Sequence, residues 1–331
     1  SVASRAVAEN NSVQIRRGLH FLFGRYQHAL PSGCVATMGA FDGLHKGHRA
    51  VLDHLVEVGA RMQLPSVVVI LEPLPREYFA PLDAPSRLMS FREKVEGFAA
   101  LGIDFLLVVR FDDGVRNTEA ADFIERVFVQ GLATVHLVMG DDSQFGRSGS
   151  GDYKLLESLG RQHAFSVEPT PTFEFAGGRV SSTRIRELLE HGEFAQAEEL
   201  LGRAYSISGK VIYGRQLGRE LGAPTANISL HRIQAAMAGV YAVEARLVNS
   251  SQSVLEMPSD WMTGVANVGV RPTVDANVKA ILEVHLIDFQ GDLYGRQMEV
   301  RFLHKIRDEQ RFSDVTQLQS QIERDVADTR S

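Results

Sequence analysis

The chain has 331 residues, with 35 Lys+Arg against 41 Asp+Glu and a formal charge of −6. That length suits about two domains at roughly 100–200 residues each, and 44% hydrophobic with 23% charged residues is the composition of a folded chain. The longest apolar runs, 67–71 and 105–109, are far short of the ~20 residues of a membrane span. The lone Cys34 cannot close an internal disulfide or build a Cys-rich zinc site, so a cytoplasmic location is expected.

The mild acidity supplies no global field for nucleic acid. An anionic ligand has to be held by local cations and backbone N–H groups. Residues 1–11 are small and polar. Arg16 and Arg17 precede only a short apolar patch, 19–23, too brief for a secretory signal. Neither a membrane nor a nucleic acid is expected as a partner, and self-association is left open.

From about 33 to 200 strands and helices alternate. Residues 34–38 read as a strand, 48–62 as a helix with Val51, Leu52, Leu55 and Val58 on one face, and 66–71 as a β-branched strand. Ser90 with Glu93 forms a capping box ahead of a helix that Gly102 ends. Residues 105–111 follow as a strand, and Thr118 opens a helix bearing Ile124, Val127 and Phe128. Residues 134–139 give the next strand and 153–163 the next helix. This alternation predicts a Rossmann-like α/β domain, a doubly wound parallel sheet that binds ligands at the carboxyl ends of its strands.

Short helices are expected at 183–191 and 194–201. After Gly202 the pattern changes. Segments 207–213, 240–248, 282–287 and 298–303 alternate in the strand manner between Gly-rich turns, with no crossover helix among them. An antiparallel β-barrel is predicted, followed by a helix over 313–329. The domain boundary is placed between 202 and 203, giving domains 15–202 and 203–331.

Two regions carry chemistry. In the first, Gly39, Phe41, Asp42, Gly43, His45, Gly47 and His48 follow the first strand in the pattern G-x-F-D-G-x-H-x-G-H. Glycines admit close approach of a phosphate, the helix start offers free N–H groups, and two imidazoles three apart reach the same anion. A zinc site is disfavoured, because neither an H-E-x-x-H pattern nor a nearby thiolate is present, and no P-loop signature occurs. Downstream, Arg179 precedes Ser181, Ser182 and Thr183, with Arg184 and Arg186 beyond. Hydroxyls there cap a helix while arginines offer bidentate charge to phosphate. Alone, either string also reads as an ordinary capped surface helix.

The second string runs from Gly209 and Lys210 through Gly214, Gly218 and Gly222 to Pro224, Thr225, Ala226 and Asn227. Gly-punctuated basic loops wrap phosphates. The Thr225 hydroxyl and Asn227 carbonyl are hard oxygen donors suited to Mg²⁺. Later, Glu283 and His285 alternate with Leu282, Val284 and Leu286 and therefore point away from them.

Taken together, the H-x-G-H and Ser-Ser-Thr strings resemble the signatures of nucleotidylyltransferases. With Glu72-Pro-Leu-Pro75, Arg87 to Lys94, Gly140-Asp141-Asp142 and the Pro-Thr-Ala-Asn string, the whole chain resembles the bifunctional bacterial FAD synthetases, riboflavin kinase fused to FMN adenylyltransferase. The resemblance implies that His45 and His48 contact ATP phosphates and act in catalysis. Gly39, Phe41, Asp142, Arg179, Ser182 and Thr183 would surround that nucleotide, and Phe145 the flavin.

For the kinase half it implies ATP binding by Gly209, Lys210, Gly214, Gly218, Gly222, Pro224, Thr225 and Asn227. Mg²⁺ would sit on Thr225 and Asn227, and Glu283 would be the base. Riboflavin, FMN, FAD and ATP are then substrates and products. Many members carry Phe and Arg where this chain has Ser143 and Gln144. The alternative reading is therefore a riboflavin kinase whose adenylyl half is weakened or inactive.

Overall fold

The computed structural model describes residues 13–18, 30–140, 143–170, 172–175, 177–212, 225–230, 235–248, 260–272, 278–289, 291–308 and 324. The chain divides into two compact units, residues 1–85 with 91–179, and residues 86–90 with 180–331.

In the first unit, β1 (Gln14–Arg17), β2 (Cys34–Met38), β3 (Ser66–Glu72), β4 (Phe105–Arg110), β5 (Thr134–Gly140) and β6 (Ser166–Thr170) form one sheet, in the order β1-β4-β3-β2-β5-β6. Every pairing is parallel. Val67, Val68, Val69 and Ile70 are all fully buried, as expected of a strand covered on both faces. The helices are α1 (Lys46–Met62), α2 (Pro75–Phe79), α3 (Phe91–Ala100), α4 (Asp113–Arg116), α5 (Ala120–Ile124) and α6 (Tyr153–His163). A small hairpin, β7 (Glu174–Phe175) with β8 (Gly178–Arg179), follows.

β1 and β6 have no counterpart in the sequence reading. Both are edge strands. β1 is Gln-Ile-Arg-Arg, without alternation, and β6 carries Pro169, a residue tolerated at sheet edges. The helix expected from Thr118 starts instead at Ala120 and widens into a π-helical turn over Glu125–Gly131.

The second unit contains α7 (Ser182–Glu190), α8 (Phe194–Leu201) and six strands: β9 (Ser206–Ile212), β10 (Thr225–Ser229), β11 (Gly239–Val248), β12 (Met262–Pro272), β13 (Val278–Leu286) and β14 (Gln297–Arg307). They close a barrel in the order β10-β13-β12-β11-β14-β9, with every pairing antiparallel. Ile207, Val211, Ile228, Leu282, Val284, Val268, Val243 and Val300 are buried on alternating positions and fill the barrel. β10 contains Thr225-Ala-Asn227 and β12 contains Gly264-Val-Ala-Asn267, and their Gly and Asn residues argue against strand on propensity alone. Barrel closure overrides that preference.

The second unit begins at Val180, upstream of the change in sequence pattern at 202/203. The reason is packing. Phe194 of α8 lies edge-on to Tyr241, with centroids 5.7 Å apart, and stacks on Phe302 at 6.2 Å. The expected helix over 313–329 falls outside the described residues.

Candidate active sites

The first site follows from the strand order. Beyond β2 the chain moves to β3 and β4 on one side, and to β5 and β6 on the other. The loops leaving β2 and β5 therefore diverge and open a crevice at the carboxyl edge. Gly39 to His45 form the loop after β2. Phe41, Gly43 and Leu44 take positive φ values of 47°, 86° and 41°. A Cβ on Gly39 would stand 3.1 Å from the Phe41 ring, so a side chain there would have to displace that ring by a few tenths of an ångström.

His45 caps α1. Its Nδ1 accepts the His48 backbone N–H at 3.2 Å. With Nδ1 acting as acceptor, the neutral ring carries its proton on Nε2, which makes that N–H the ring's donor. The two imidazoles stack at 3.6 Å, 16° from parallel, and Phe41 meets the His48 ring edge-on at 5.2 Å. Burial, with His45 and Lys94 nearby, holds the His48 imidazole well below its ordinary pKa of 6.5. His48 is therefore neutral at pH 7, and its buried Nδ1 has no hydrogen-bond partner among the described residues.

Lys94 is 1% exposed, 3.8 Å from Glu72. The sequence reading gave it no role. Its signal was a lysine on the apolar side of a helix, next to Val95 and Phe98.

Beside this loop lies a cleft of 590 Å³, lined by Met38 and Leu71 at the ends of β2 and β3, Phe111 just after β4, and Phe145 in the loop that follows β5. Phe79 and Arg116 also line it. Phe79 is 62% exposed, and the Arg116 guanidinium lies 5.6 Å from its ring. Phe145 is 6% exposed and is pinned by paired backbone bonds with Gly151 at 2.9 and 3.2 Å. A Cβ on Gly151 would stand 2.4 Å from that ring. Gln144, at a position where this chain departs from the family pattern, lines the cleft. Asp142 lies outside the described residues.

Arg179 ends β8 in the first unit, and Ser182 and Thr183 open α7 in the second. The capping hydroxyl is that of Ser181, whose Oγ accepts the Arg184 N–H at 3.2 Å. Arg186 Nε donates to the Ser86 carbonyl at 2.6 Å.

The second site follows from barrel register. Asn227 of β10 is paired with Glu283 of β13, and Thr225 with His285. The intervening Ala226, Leu282 and Val284 are buried inward, so Thr225, Asn227, Glu283 and His285 share the outer face. Asn227 is 5% exposed, whereas Thr225 is exposed. On β9, Lys210 points outward between inward Gly209 and Val211. Gly214, Gly218, Gly222 and Pro224 fall outside the described residues. Among the described residues, no cluster of three His, Cys, Asp or Glu side chains could hold a metal. Thr225 and Asn227 instead offer neutral oxygens two residues apart on one strand face, a donor set that fits Mg²⁺ already carried by nucleotide phosphates.

Residues 27–184 match the model of the FAD synthetase family, and residues 201–331 that of the riboflavin kinase family. The bifunctional riboflavin kinase/FMN adenylyltransferase of Pseudomonas fluorescens is 44% identical over 319 residues, covering 96% of this chain and 97% of the relative. The enzyme of that name from Escherichia coli K12 is 44% identical over 313 residues, covering 95% and 96%. The chain belongs to the bifunctional riboflavin kinase/FMN adenylyltransferase family. A solved structure from Streptococcus pneumoniae, described as a macrolide-efflux protein, superposes with a TM-score of 0.73 at 27% identity, covering 96% of this chain and 99% of that one. Among the described residues no helix is long and apolar enough to cross a membrane.

Proposed function

We propose that the two halves of this family member act in succession on one vitamin, with residues 203–331 phosphorylating riboflavin to FMN and 15–202 adenylylating FMN to FAD. The chain is an enzyme of flavin cofactor synthesis. Both family models match it and its relatives are bifunctional by name, so the kinase-only reading has no support. We assign it to the cytoplasm.

In the kinase half the carrying observation is the pairing of Asn227 with Glu283 on one outer face. Glu283 takes the proton of the ribityl 5′-hydroxyl. The oxygen forms a bond to the γ-phosphorus of ATP, the bond from that phosphorus to the β–γ bridging oxygen breaks, and ADP leaves. Lys210 and the Gly-punctuated segment 209–227 bind ATP. Thr225 and Asn227 hold Mg²⁺, which when bound neutralises charge on the transferring phosphoryl.

In the adenylyl half FMN supplies its phosphate, already anionic, as the nucleophile: a phosphate oxygen bonds to the α-phosphorus of a second ATP, the bond from that phosphorus to the α–β bridging oxygen breaks, and pyrophosphate leaves. No strong base is required. His45 offers its Nε2–H, and neutral His48 offers a second donor, so developing charge meets fixed dipoles in a desolvated pocket. Arg179, Ser182, Thr183 and Asp142 serve the same ATP. The cleft beside Phe79, Phe111 and Phe145 suits the flat isoalloxazine.

Incubating the protein with riboflavin, ATP and Mg²⁺ and separating the flavins over time tests the whole reading. FMN is expected first and FAD after it. Riboflavin left unchanged would overturn the proposal, and FMN accumulating without FAD would restore the kinase-only alternative.

A further inference from the structure

Asn267 of β12 has no part in the mechanism above, yet it is the third member of the row that contains the base. Asn227 pairs with Glu283 from one side, and Asn267 pairs with the same Glu283 from the other. Its chain neighbours Ala266 and Val268 are fully buried inward, so Asn267 projects on the outer face, with Cβ about 5 Å from that of Glu283.

Its surroundings make it unusual. On that face its along-strand neighbours are Val265 and Gly269, and the residue opposite on β11 is Val240. None has a side-chain donor. The Asn267 Oδ1 is shielded from solvent and accepts no hydrogen bond from the described residues. A buried acceptor left unpaired destabilises a fold by roughly 1–3 kcal/mol, and such groups persist where a ligand completes them.

We propose that Asn267 is a specificity-determining residue of the kinase site, its Oδ1 accepting a hydrogen bond from a ribityl hydroxyl adjacent to the one that Glu283 deprotonates. The inference rests on the kinase reading of this face. An amide oxygen accepts only, so its occupant is a donor such as a polyol hydroxyl. A second metal ligand is the weaker alternative. Asn227 and Asn267 lie two strands apart, about 9.6 Å at ~4.8 Å per strand, with Glu283 between them. One Mg²⁺ ion with ligands at about 2.1 Å does not draw on both. In this arrangement metal and phosphate lie on the Asn227 side of the base and the polyol on the Asn267 side.

The test crosses two enzymes with two substrates. Wild type and Asn267→Leu are each assayed for kcat/KM with riboflavin and with 10-(5-hydroxypentyl)flavin, which keeps only the terminal hydroxyl. Wild type is expected to prefer riboflavin by about 10- to 100-fold, the effect of leaving one buried acceptor unpaired. Asn267→Leu should lose that much with riboflavin and change within about twofold with the analogue, since no partner remains to lose. Asn267→Asp keeps an acceptor oxygen and should keep the preference. Turnover of the analogue, which needs the same barrel, monitors its folding. Asn267→Ala replaces the Leu variant should that fail to fold.

An equal loss with both substrates would overturn the proposal, as would an undiminished preference. So would a raised Mg²⁺ requirement with the preference intact, the signature of a metal ligand. Glu283→Gln is run alongside: activity surviving there refutes the base assignment, whereas the preference measured in the Asn267 variants still reports on Asn267.

Discussion

At the edge of the parallel sheet, anion recognition is built from a loop and the first turn of a helix. On the barrel the reacting groups are side chains standing in a row across paired strands. The difference follows from the backbone. Helix starts and glycine turns present N–H groups that point outward, and such a site needs few side chains beyond His45 and His48. A closed antiparallel barrel uses its N–H groups in the ladder, so Thr225, Asn227 and Glu283 have to supply the chemistry themselves, and register alone aligns them. The chemistry differs in parallel: a hydroxyl nucleophile needs a base, and a phosphate nucleophile does not.

The sharpest separation of the two sites is expected from Glu283→Gln. Removing a general base should lower riboflavin phosphorylation by about 10²–10⁴-fold, while supplied FMN is still converted to FAD. Coupled loss of both activities would mean that the sites are not independent.

The reverse experiment is His48→Ala. Loss of a preorganised donor should reduce adenylylation by about 10²–10³-fold and leave FMN formation at the wild-type rate. Adenylylation at full rate would remove His48 from the chemistry.

Phe79→Ala addresses the cleft. Its exposed ring should grip isoalloxazine by stacking worth ~1 kcal/mol, so KM for FMN should rise about fivefold with kcat retained. An unchanged KM would place the flavin elsewhere.

The smallest effect concerns acid. The folded-state pKa of His48 lies below 6.5, so the unfolded chain binds the extra proton first. Its contribution to stability is complete above about pH 6.5 and is lost as pH falls below it, at most ~1.4 kcal/mol per pH unit. His48→Gln should flatten the fall of urea-unfolding stability between pH 6.5 and 5. An identical slope in the variant would assign the acid response to other groups.

Much of this molecule can be read along the chain because its signals are local. Three-residue caps, β-branched runs and the H-x-G-H spacing are short-range patterns, and they place β2, α1, β3 and α6 within a residue or two. The chemically distinctive strings Thr225-Ala-Asn227 and His45-Lys-Gly-His48 need no fold to be noticed.

What local signals miss are elements that non-local pairing creates. β1 and β6 exist because a sheet edge accepts them, and β10 and β12 because a barrel has to close. The cleft is assembled from segments at and beyond four strand ends far apart in sequence, which is why Phe79 and Arg116 showed no role until the sheet brought them together. Asn267 is the clearest case: its residue type says nothing, and only the register that sets it against Glu283, with an acceptor oxygen left dry and unpaired, marks it out. Sequence determined which chemistry the chain contains, because side-chain identity and short spacing are its direct content. Tertiary structure decided which groups face one another, because strand order and register depend on pairings between distant segments.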